Sequence, residues 1–126
     1  MRVAAVDTSC VVAVALTQES AGAIARRMST FDRLLASPLL EAEARSVMLR
    51  ERLPASAVHL GDMQWILPAT SLSVEIARVL SAGYVRGADC WHLACALHVS
   101  SDPSEITFLT LDTQQRKVAK ALGFKT

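Results

Sequence analysis

Four acidic residues are the part of this sequence best suited to chemistry, because each stands where an apolar segment ends or a helix is expected to begin. They are Asp7, Glu43, Asp89 and Asp112. Carboxylates that gather at one place repel one another unless a positive charge lies between them. A hard divalent cation with oxygen ligands relieves that repulsion economically. The four acids therefore predict a magnesium or manganese site.

Two of the four acids follow segments with the pattern of buried strands. Asp7 closes the run Arg-Val-Ala-Ala-Val at 2–6, and Asp112 follows Ile-Thr-Phe-Leu-Thr-Leu at 106–111. Short apolar runs of this kind are typical of parallel strands that are buried on both faces. Open parallel sheets bind ligands outside the carboxyl ends of their strands. We therefore expect Asp7 and Asp112 to converge at that edge of the sheet.

The other two acids lie on predicted helices. Glu43 has a competitor in Glu41, but two positions along a helix correspond to about 200° of rotation, so only one of them can face a shared pocket. The other is expected to be solvated. Gly87 is expected to break the chain before Asp89, which would open a helix in whose first turn an acid is stabilised by the helix dipole. That structural role is compatible with a functional one.

Predicted strands alternate with predicted helices along the chain. The strand candidates are residues 2–6, 34–37 and 106–111, with a weak candidate at 70–72. The helix candidates are residues 8–16, 19–28, 38–52, 54–65, 74–80, 89–99 and 113–122, with Ser73 as an N-cap and with Gly83 and Gly123 at helix ends. This alternation indicates an α/β fold with a parallel sheet covered on both faces.

Length and composition restrict the class of protein. A chain of 126 residues, 52% of them hydrophobic, suits a single domain over residues 1–126. No apolar stretch approaches the ~20 residues of a transmembrane helix, and no signal peptide precedes the first strand, so we expect a cytoplasmic protein without a membrane partner. Cys10, Cys90 and Cys95 are expected to be reduced thiols, since an odd number without framework spacing does not suit a disulfide scaffold.

The charge distribution neither requires nor excludes a nucleic-acid partner. The net charge is +1, so no global field attracts phosphates. Local basic clusters could hold phosphates if they line an acidic centre, although each is also typical of a solvated helix face. These clusters are Arg26 with Arg27, Arg45 with Arg50 and Arg52, Arg78 with Arg86, and Arg116 with Lys117, Lys120 and Lys125.

Three other kinds of site fit the sequence less well. Phosphatases of the haloacid dehalogenase type need a second Asp where this chain has Ser9, and receiver domains need an acidic pair ahead of Asp7. A zinc site could use His92, Cys95 and His98 on one helical face, but no second ligand pair appears. His92 is therefore interpreted as a packed or hydrogen-bonded helix residue.

Four segments of the chain, taken in order, form a pattern. They are Val6-Asp7-Thr8-Ser9, the run from Ser37 to Glu43, Asp89 with the run from His92 to Ala96, and Thr110-Leu111-Asp112. This pattern resembles the PIN-domain family over nearly the whole chain. Within that family, the compact single-domain size is most similar to that of the VapC-type toxins of bacterial toxin–antitoxin pairs.

The resemblance implies a metal-dependent ribonuclease that uses Mg²⁺ or Mn²⁺. It implies a three-layer α/β/α sandwich with a central, mainly parallel sheet of four to five strands. It further implies an RNA substrate, a homodimer and an antitoxin protein that occupies the acidic pocket. By position, Asp7, Glu43, Asp89 and Asp112 match the catalytic, metal-binding acids of the family, and Ser9 and Thr110 match its accessory polar residues.

One departure and two alternatives accompany this resemblance. Where the family often carries an aromatic residue soon after its last acid, this chain has Gln114, Gln115 and Arg116, which bears on substrate contacts. The first alternative is a non-catalytic PIN-like binding module that docks a basic peptide or partner on the acids. The second is a PIN nuclease that works outside any toxin pair.

Overall fold

Four parallel strands form the centre of the protein. The computed structural model describes all of residues 1–126. The strands lie in the order β3-β2-β1-β4, and every pair of neighbours is parallel. This confirms the predicted α/β fold with a parallel sheet. The strand bounds are β1 Val3–Val6, β2 Arg33–Ala36, β3 Met63–Trp65 and β4 Ile106–Leu109.

Six α-helices cover the two faces of the sheet and complete three layers. The first three pack on one face and the last three on the other. Two short 3-10 turns, at Ala55–Ala57 and Pro103–Glu105, lie in the connections. No helix has both the length and the apolar character needed to cross a membrane. The helix bounds are α1 Thr8–Ala15, α2 Ala21–Met28, α3 Leu39–Arg50, α4 Ser73–Ala82, α5 Gly87–His98 and α6 Thr113–Leu122.

The strands divide their side chains between two apolar clusters, because successive side chains of a strand point to opposite faces. Ala4 and Val6 of β1 join the cluster formed with α1 and α3. Ala5 joins the cluster formed with α4, α5 and α6, whose largest fully buried member is Phe108 of β4. Both faces are therefore buried, which explains why β1 and β4 are nearly continuous apolar runs.

The strand order places a crevice beside the end of β1. Strands β1 and β4 are neighbours, with Val6 paired with Leu109. After β1 the chain enters α1 on one face, whereas after β4 it enters α6 on the other. Connections that leave adjacent strands for opposite faces open a crevice at the carboxyl ends, where α/β sheets bind ligands.

Two predictions in the middle of the chain are wrong. The helix predicted at 54–65 is instead a 3-10 turn followed by β3, and the strand predicted at 70–72 is irregular. Met63 and Trp65 pair with β2, and the Ile66 N–H donates to the carbonyl of Ala36 at 2.8 Å. This pairing satisfies backbone groups along β2 that would otherwise lack partners. Such a long-range requirement overrides the helical spacing of the local apolar residues.

Several boundaries also shift, and two of the shifts concern the acids. Gly87 does not break the chain but is the first residue of α5, so Asp89 is the third residue of its first turn. Strand β4 ends at Leu109 rather than at residue 111, which leaves Thr110 in the loop before Asp112. Ser73 begins α4 instead of capping it. Asp7 and Asp112 still stand between a strand and a helix, and Asp89 still lies in the first turn of its helix, as expected.

Candidate active site

Asp7 lies at the centre of the crevice, between the end of β1 and the start of α1. It is only 5% exposed, and its backbone N–H donates to the Leu109 carbonyl at 2.9 Å. Its Oδ2 accepts from the Ser9 N–H at 3.0 Å, which is the N-cap interaction that a helix start favours. Its Oδ1 accepts from Nε2 of Gln115 at 3.1 Å. Two donors therefore orient this carboxylate.

Asp112 caps the helix after β4 as Asp7 caps the helix after β1, although Asp7 directly follows its strand and Asp112 follows a short loop. It caps α6, where its Oδ1 accepts from the Gln115 N–H at 2.7 Å. The two sequence-predicted accessory residues connect these strand ends. The Ser9 hydroxyl accepts from the Leu111 N–H at 3.1 Å, and Thr110 Oγ1 accepts from the Asp112 N–H at 3.0 Å. The two hydroxyls themselves lie 3.5 Å apart.

Asp89 enters the crevice from the first turn of α5, with its side chain 18% exposed. Burial raises the pKa of Asp89, and the negative charge of Asp7 raises it further, with a smaller contribution from Asp112. The exposed guanidinium of Arg86, 3.5 Å from Asp89 Oδ2, acts in the opposite direction without cancelling the rise. Asp89 therefore lies close enough to Asp7 and to Asp112 for both negative charges to act on it.

Glu43 reaches the site from α3 and is already held by two donors. Its Oε1 accepts from the Thr8 hydroxyl at 2.8 Å and lies 2.6 Å from His92 Nε2. His92 is buried and also contacts the Ser37 hydroxyl through Nδ1 at 3.0 Å. Because a carboxylate oxygen can only accept, Nε2 is the donor of the hydrogen bond between His92 and Glu43. His92 Nε2 is 3.9 Å from Asp7 Oδ1, so this network borders the aspartates.

Glu41 lies on the other side of α3 from Glu43. It pairs with Arg45 at 3.1 Å, one helical turn away, and both side chains are exposed. The structure thus directs Glu43 towards the crevice and Glu41 towards solvent, as the helical rotation between them requires.

The sequence did not assign Gln115, His92 or Ser37 to the site, but the structure places all three in it. Gln115 is completely buried and His92 is 4% exposed. Each stands three positions after an acid of the site on the same helix, Asp112 or Asp89, and residues three apart on a helix are neighbours on one face. That spacing was the available signal. Ser37 offered only its position directly after β2.

The zinc alternative does not form a cluster. Cys95 is fully buried in the apolar core, where burial raises its pKa to about 11, and His98 is exposed at the end of α5. His92 is occupied by Ser37 and Glu43. The cysteines Cys10 and Cys90 are free and buried as well, in keeping with the prediction of thiols without disulfides.

The donor set of the crevice suits a hard cation. No three His, Cys, Asp or Glu side chains are arranged as a ready group of metal ligands. Mg²⁺ does not require such a group, because it is usually held by one or two carboxylates and retains several waters. The carboxylates of Asp7, Asp89 and Asp112 supply hard oxygen donors, and burial together with the charges of Asp7 and Asp112 raises the pKa of Asp89.

Comparison with known proteins gives one match. A family model described as PIN domain matches residues 4–121. The matched stretch begins in β1, ends in α6 and contains all four acids together with His92 and Gln115. None of the curated proteins and none of the solved structures compared with the chain matches it.

Proposed function

The chain belongs to the PIN-domain family, whose members are generally nucleases that use divalent metals, and on this premise we propose that it is a metal-dependent endoribonuclease. The observation that carries the proposal is the convergence of Asp7, Asp89 and Asp112 at the carboxyl ends of β1 and β4. Their mutual repulsion is the physical requirement that a divalent cation would meet.

We assign different roles to the four acids. We assign Asp7 and Asp89 as the most direct ligands, because Asp7 is buried and makes the largest charge contribution to the raised pKa of Asp89, and because Mg²⁺ uses few direct carboxylates. Glu43 and Asp112 complete the site or act through water. When bound, Mg²⁺ or Mn²⁺ supplies Lewis-acid chemistry, activating water for attack on a phosphodiester and neutralising charge on the phosphate oxygens.

The surrounding polar residues hold these acids in place. Ser9 and Thr110 connect the loops after β1 and β4, so they keep Asp7 and Asp112 at a fixed separation. His92 donates to Oε1 of Glu43 and itself lies 3.9 Å from Oδ1 of Asp7, so it holds Glu43 beside this network. Side chains whose own geometry is fixed by hydrogen bonds need little reorganisation when substrate binds.

The experiment that tests the proposal compares cleavage of RNA by the wild type, Asp7→Asn and Asp89→Asn. Each assay is run with Mg²⁺, with Mn²⁺ and with EDTA. We expect cleavage that needs the ion, and a loss of at least about 100-fold in either variant. Glu41→Gln is the matched control, because Glu41 is a carboxylate of α3 that faces solvent. Undiminished cleavage by either Asp variant would overturn the assignment.

We further propose that the protein is the toxin of a type II toxin–antitoxin pair, a cytoplasmic homodimer inhibited by an antitoxin that occupies the acidic crevice. The support is the resemblance of the short chain and its four ordered segments to VapC-type toxins. We expect a small reading frame beside the gene. We also expect the product of that reading frame to block cleavage when added in equal amount. A cleaving enzyme without such a neighbour is instead a PIN nuclease outside any toxin pair.

One observation favours a second candidate function, a binding module that docks a basic peptide. The guanidinium of Arg86 lies 3.5 Å from Oδ2 of Asp89, a local pair that supports the idea that this acid can bind a cationic side chain. Tight binding of an arginine-containing peptide, with no cleavage in either metal, would support this candidate over the enzyme.

A further inference from the structure

Gln115 is the only fully buried polar side chain in the protein at 0% exposure. It occupies the third position of α6, and its backbone N–H already caps that helix through Asp112. A long polar side chain is costly to bury unless its amide groups find partners. Its location therefore indicates that the amide itself is needed.

The amide of Gln115 joins three separate elements. Its Nε2 donates to Asp7 Oδ1 at 3.1 Å and to the backbone carbonyl of Asp89 at 3.3 Å. Its Oε1 accepts from the Thr110 hydroxyl at 2.6 Å. The end of β1, the first turn of α5 and the loop after β4 thus meet at one side chain.

These partners determine which way the amide points. Two acceptors, a carboxylate oxygen and a carbonyl oxygen, face one end, so that end must carry the NH₂ group. The Thr110 hydroxyl donates to the other end, since its own oxygen is the acceptor for the Asp112 N–H. A carboxylate in place of the amide would face two oxygens without a proton to share, and an apolar side chain would lose all three contacts.

The consequence for Asp7 is a carboxylate restrained at both oxygens. The Ser9 N–H holds Oδ2 at 3.0 Å and Gln115 holds Oδ1 at 3.1 Å. The Ser9 contact belongs to the helix cap and fixes one oxygen only. Gln115 therefore limits rotation of the Asp7 carboxylate about its Cβ–Cγ bond. The lone pairs of Asp7 that make no hydrogen bond then point in a fixed direction.

We propose that Gln115 is a positioning residue that orients the Asp7 carboxylate for a divalent cation and holds the start of α5, with Asp89, at a fixed distance from it. This inference rests on the proposed function, since the orientation of Asp7 matters to cleavage only in a metal-dependent nuclease. Gln115 acts through its neighbours and is not assigned contact with substrate.

The test replaces Gln115 by methionine, which has similar length and flexibility but no amide. The matched control is Gln114→Met, because the neighbouring Gln114 is exposed and donates only to the Tyr84 carbonyl at 2.9 Å, away from the acids. Three quantities are measured for each protein: the dissociation constant for Mn²⁺ by calorimetry, the melting temperature in EDTA, and kcat and KM for RNA.

We expect Gln115→Met to weaken Mn²⁺ binding about 10- to 100-fold and to lower kcat with little change in the KM for RNA. Gln114→Met is expected to match the wild type in all of these. A merely structural role for Gln115 would lower the melting temperature in EDTA and leave the Mn²⁺ dissociation constant unchanged, and that result in the folded variant would overturn the proposal.

A second variant keeps the test decisive if Gln115→Met does not fold. Gln115→Asn retains the amide but is one methylene shorter, so it cannot reach Asp7 and Thr110 together. Wild-type affinity for Mn²⁺ in this variant would also overturn the proposal. If the wild type binds Mn²⁺ but does not cleave RNA, the proposed nuclease function fails while the binding comparison still decides the role of Gln115. If the wild type binds no Mn²⁺, both proposals fail.

Discussion

At the scale of single residues, the charge of Asp89 should oppose folding when no metal is present. Burial raises the pKa of Asp89, with Asp7 as the next cause. A carboxyl whose pKa is raised on folding is harder to ionise in the folded than in the unfolded chain, so ionisation lowers the free energy of unfolding. The pair with Arg86, whose side chain is 78% exposed, compensates little.

We therefore predict that Asp89→Asn has a higher melting temperature than the wild type in EDTA at about pH 7. The difference should shrink as the pH falls through the raised pKa of Asp89, because the wild-type carboxyl then becomes neutral as well. Thermal unfolding followed by circular dichroism over that range measures both effects. A variant no more stable than the wild type at neutral pH would contradict the prediction, and Glu41→Gln should show no such gain.

The buried His92 should contribute to stability through its two ring nitrogens. His92→Phe keeps an aromatic ring but removes both ring nitrogens. The Ser37 hydroxyl then loses its partner, and Glu43 loses the donor at Nε2. Losing partners of buried polar groups costs about 1–3 kcal/mol of unfolding free energy. Urea denaturation checks this value. His98→Phe on the same helix is the control, because His98 is exposed, and equal effects of the two substitutions would contradict the role of the network.

At the scale of elements, two glycines end helices for different reasons. Gly123, which the sequence placed at a helix end, has φ of 103° and is left-handed. Gly83 ends α4 in an extended conformation, with φ of 162°. A Cβ on Gly83 would lie 3.0 Å from the Val118 side chain of α6, so the close packing of the two helices favours a glycine there. The sequence located both positions but could not distinguish the two causes.

Gly123→Ala should therefore destabilise the protein by about 1–2 kcal/mol, the cost of a left-handed conformation for a residue with a Cβ. Space does not add to this cost, because the new Cβ would be an ordinary 3.7 Å from Pro103. Chemical denaturation gives the difference in the free energy of unfolding. Gly61→Ala is the control, since nothing lies within 4 Å of its Cβ position and its φ lies outside the left-handed range, and it should be close to neutral.

At the scale of the whole molecule, the two apolar clusters lie on opposite faces of one thin sheet and share its strands. Residues of β1 and β4 contribute to both clusters, so neither cluster can form without the sheet. We predict that residues 1–126 unfold as a single domain in one cooperative transition. Each cluster has its own tryptophan, Trp65 beside the cluster with α1 and α3 and Trp91 beside the cluster with α4 to α6.

The two tryptophans allow the single-domain prediction to be tested directly. In Trp65→Phe only Trp91 reports, and in Trp91→Phe only Trp65 reports. The midpoint from tryptophan fluorescence should coincide with that from circular dichroism in both variants. Within either variant, a fluorescence transition separated from the loss of helix would show that the two sides of the sheet unfold independently.

The sequence alone determined the features that depend on neighbouring residues along the chain. The apolar runs of β1 and β4, the acids that follow them and the alternation of strands and helices all follow from local pattern and indicate the α/β fold. Helical rotation predicted that only one of Glu43 and Glu41 could face the site. Because these properties are local, the four acids could be recognised without coordinates.

Only the tertiary structure decided which distant residues meet. It placed β3 at the edge of β2, where pairing of backbone groups outweighed the local helical pattern. It also joined Gln115 to Asp7, 108 positions apart, and His92 to Glu43, 49 positions apart. Hydrogen bonds over such separations depend on strand order and on how helices pack across the sheet. The acids of the site are therefore visible in the sequence, whereas the side chains that orient them are visible only in the fold.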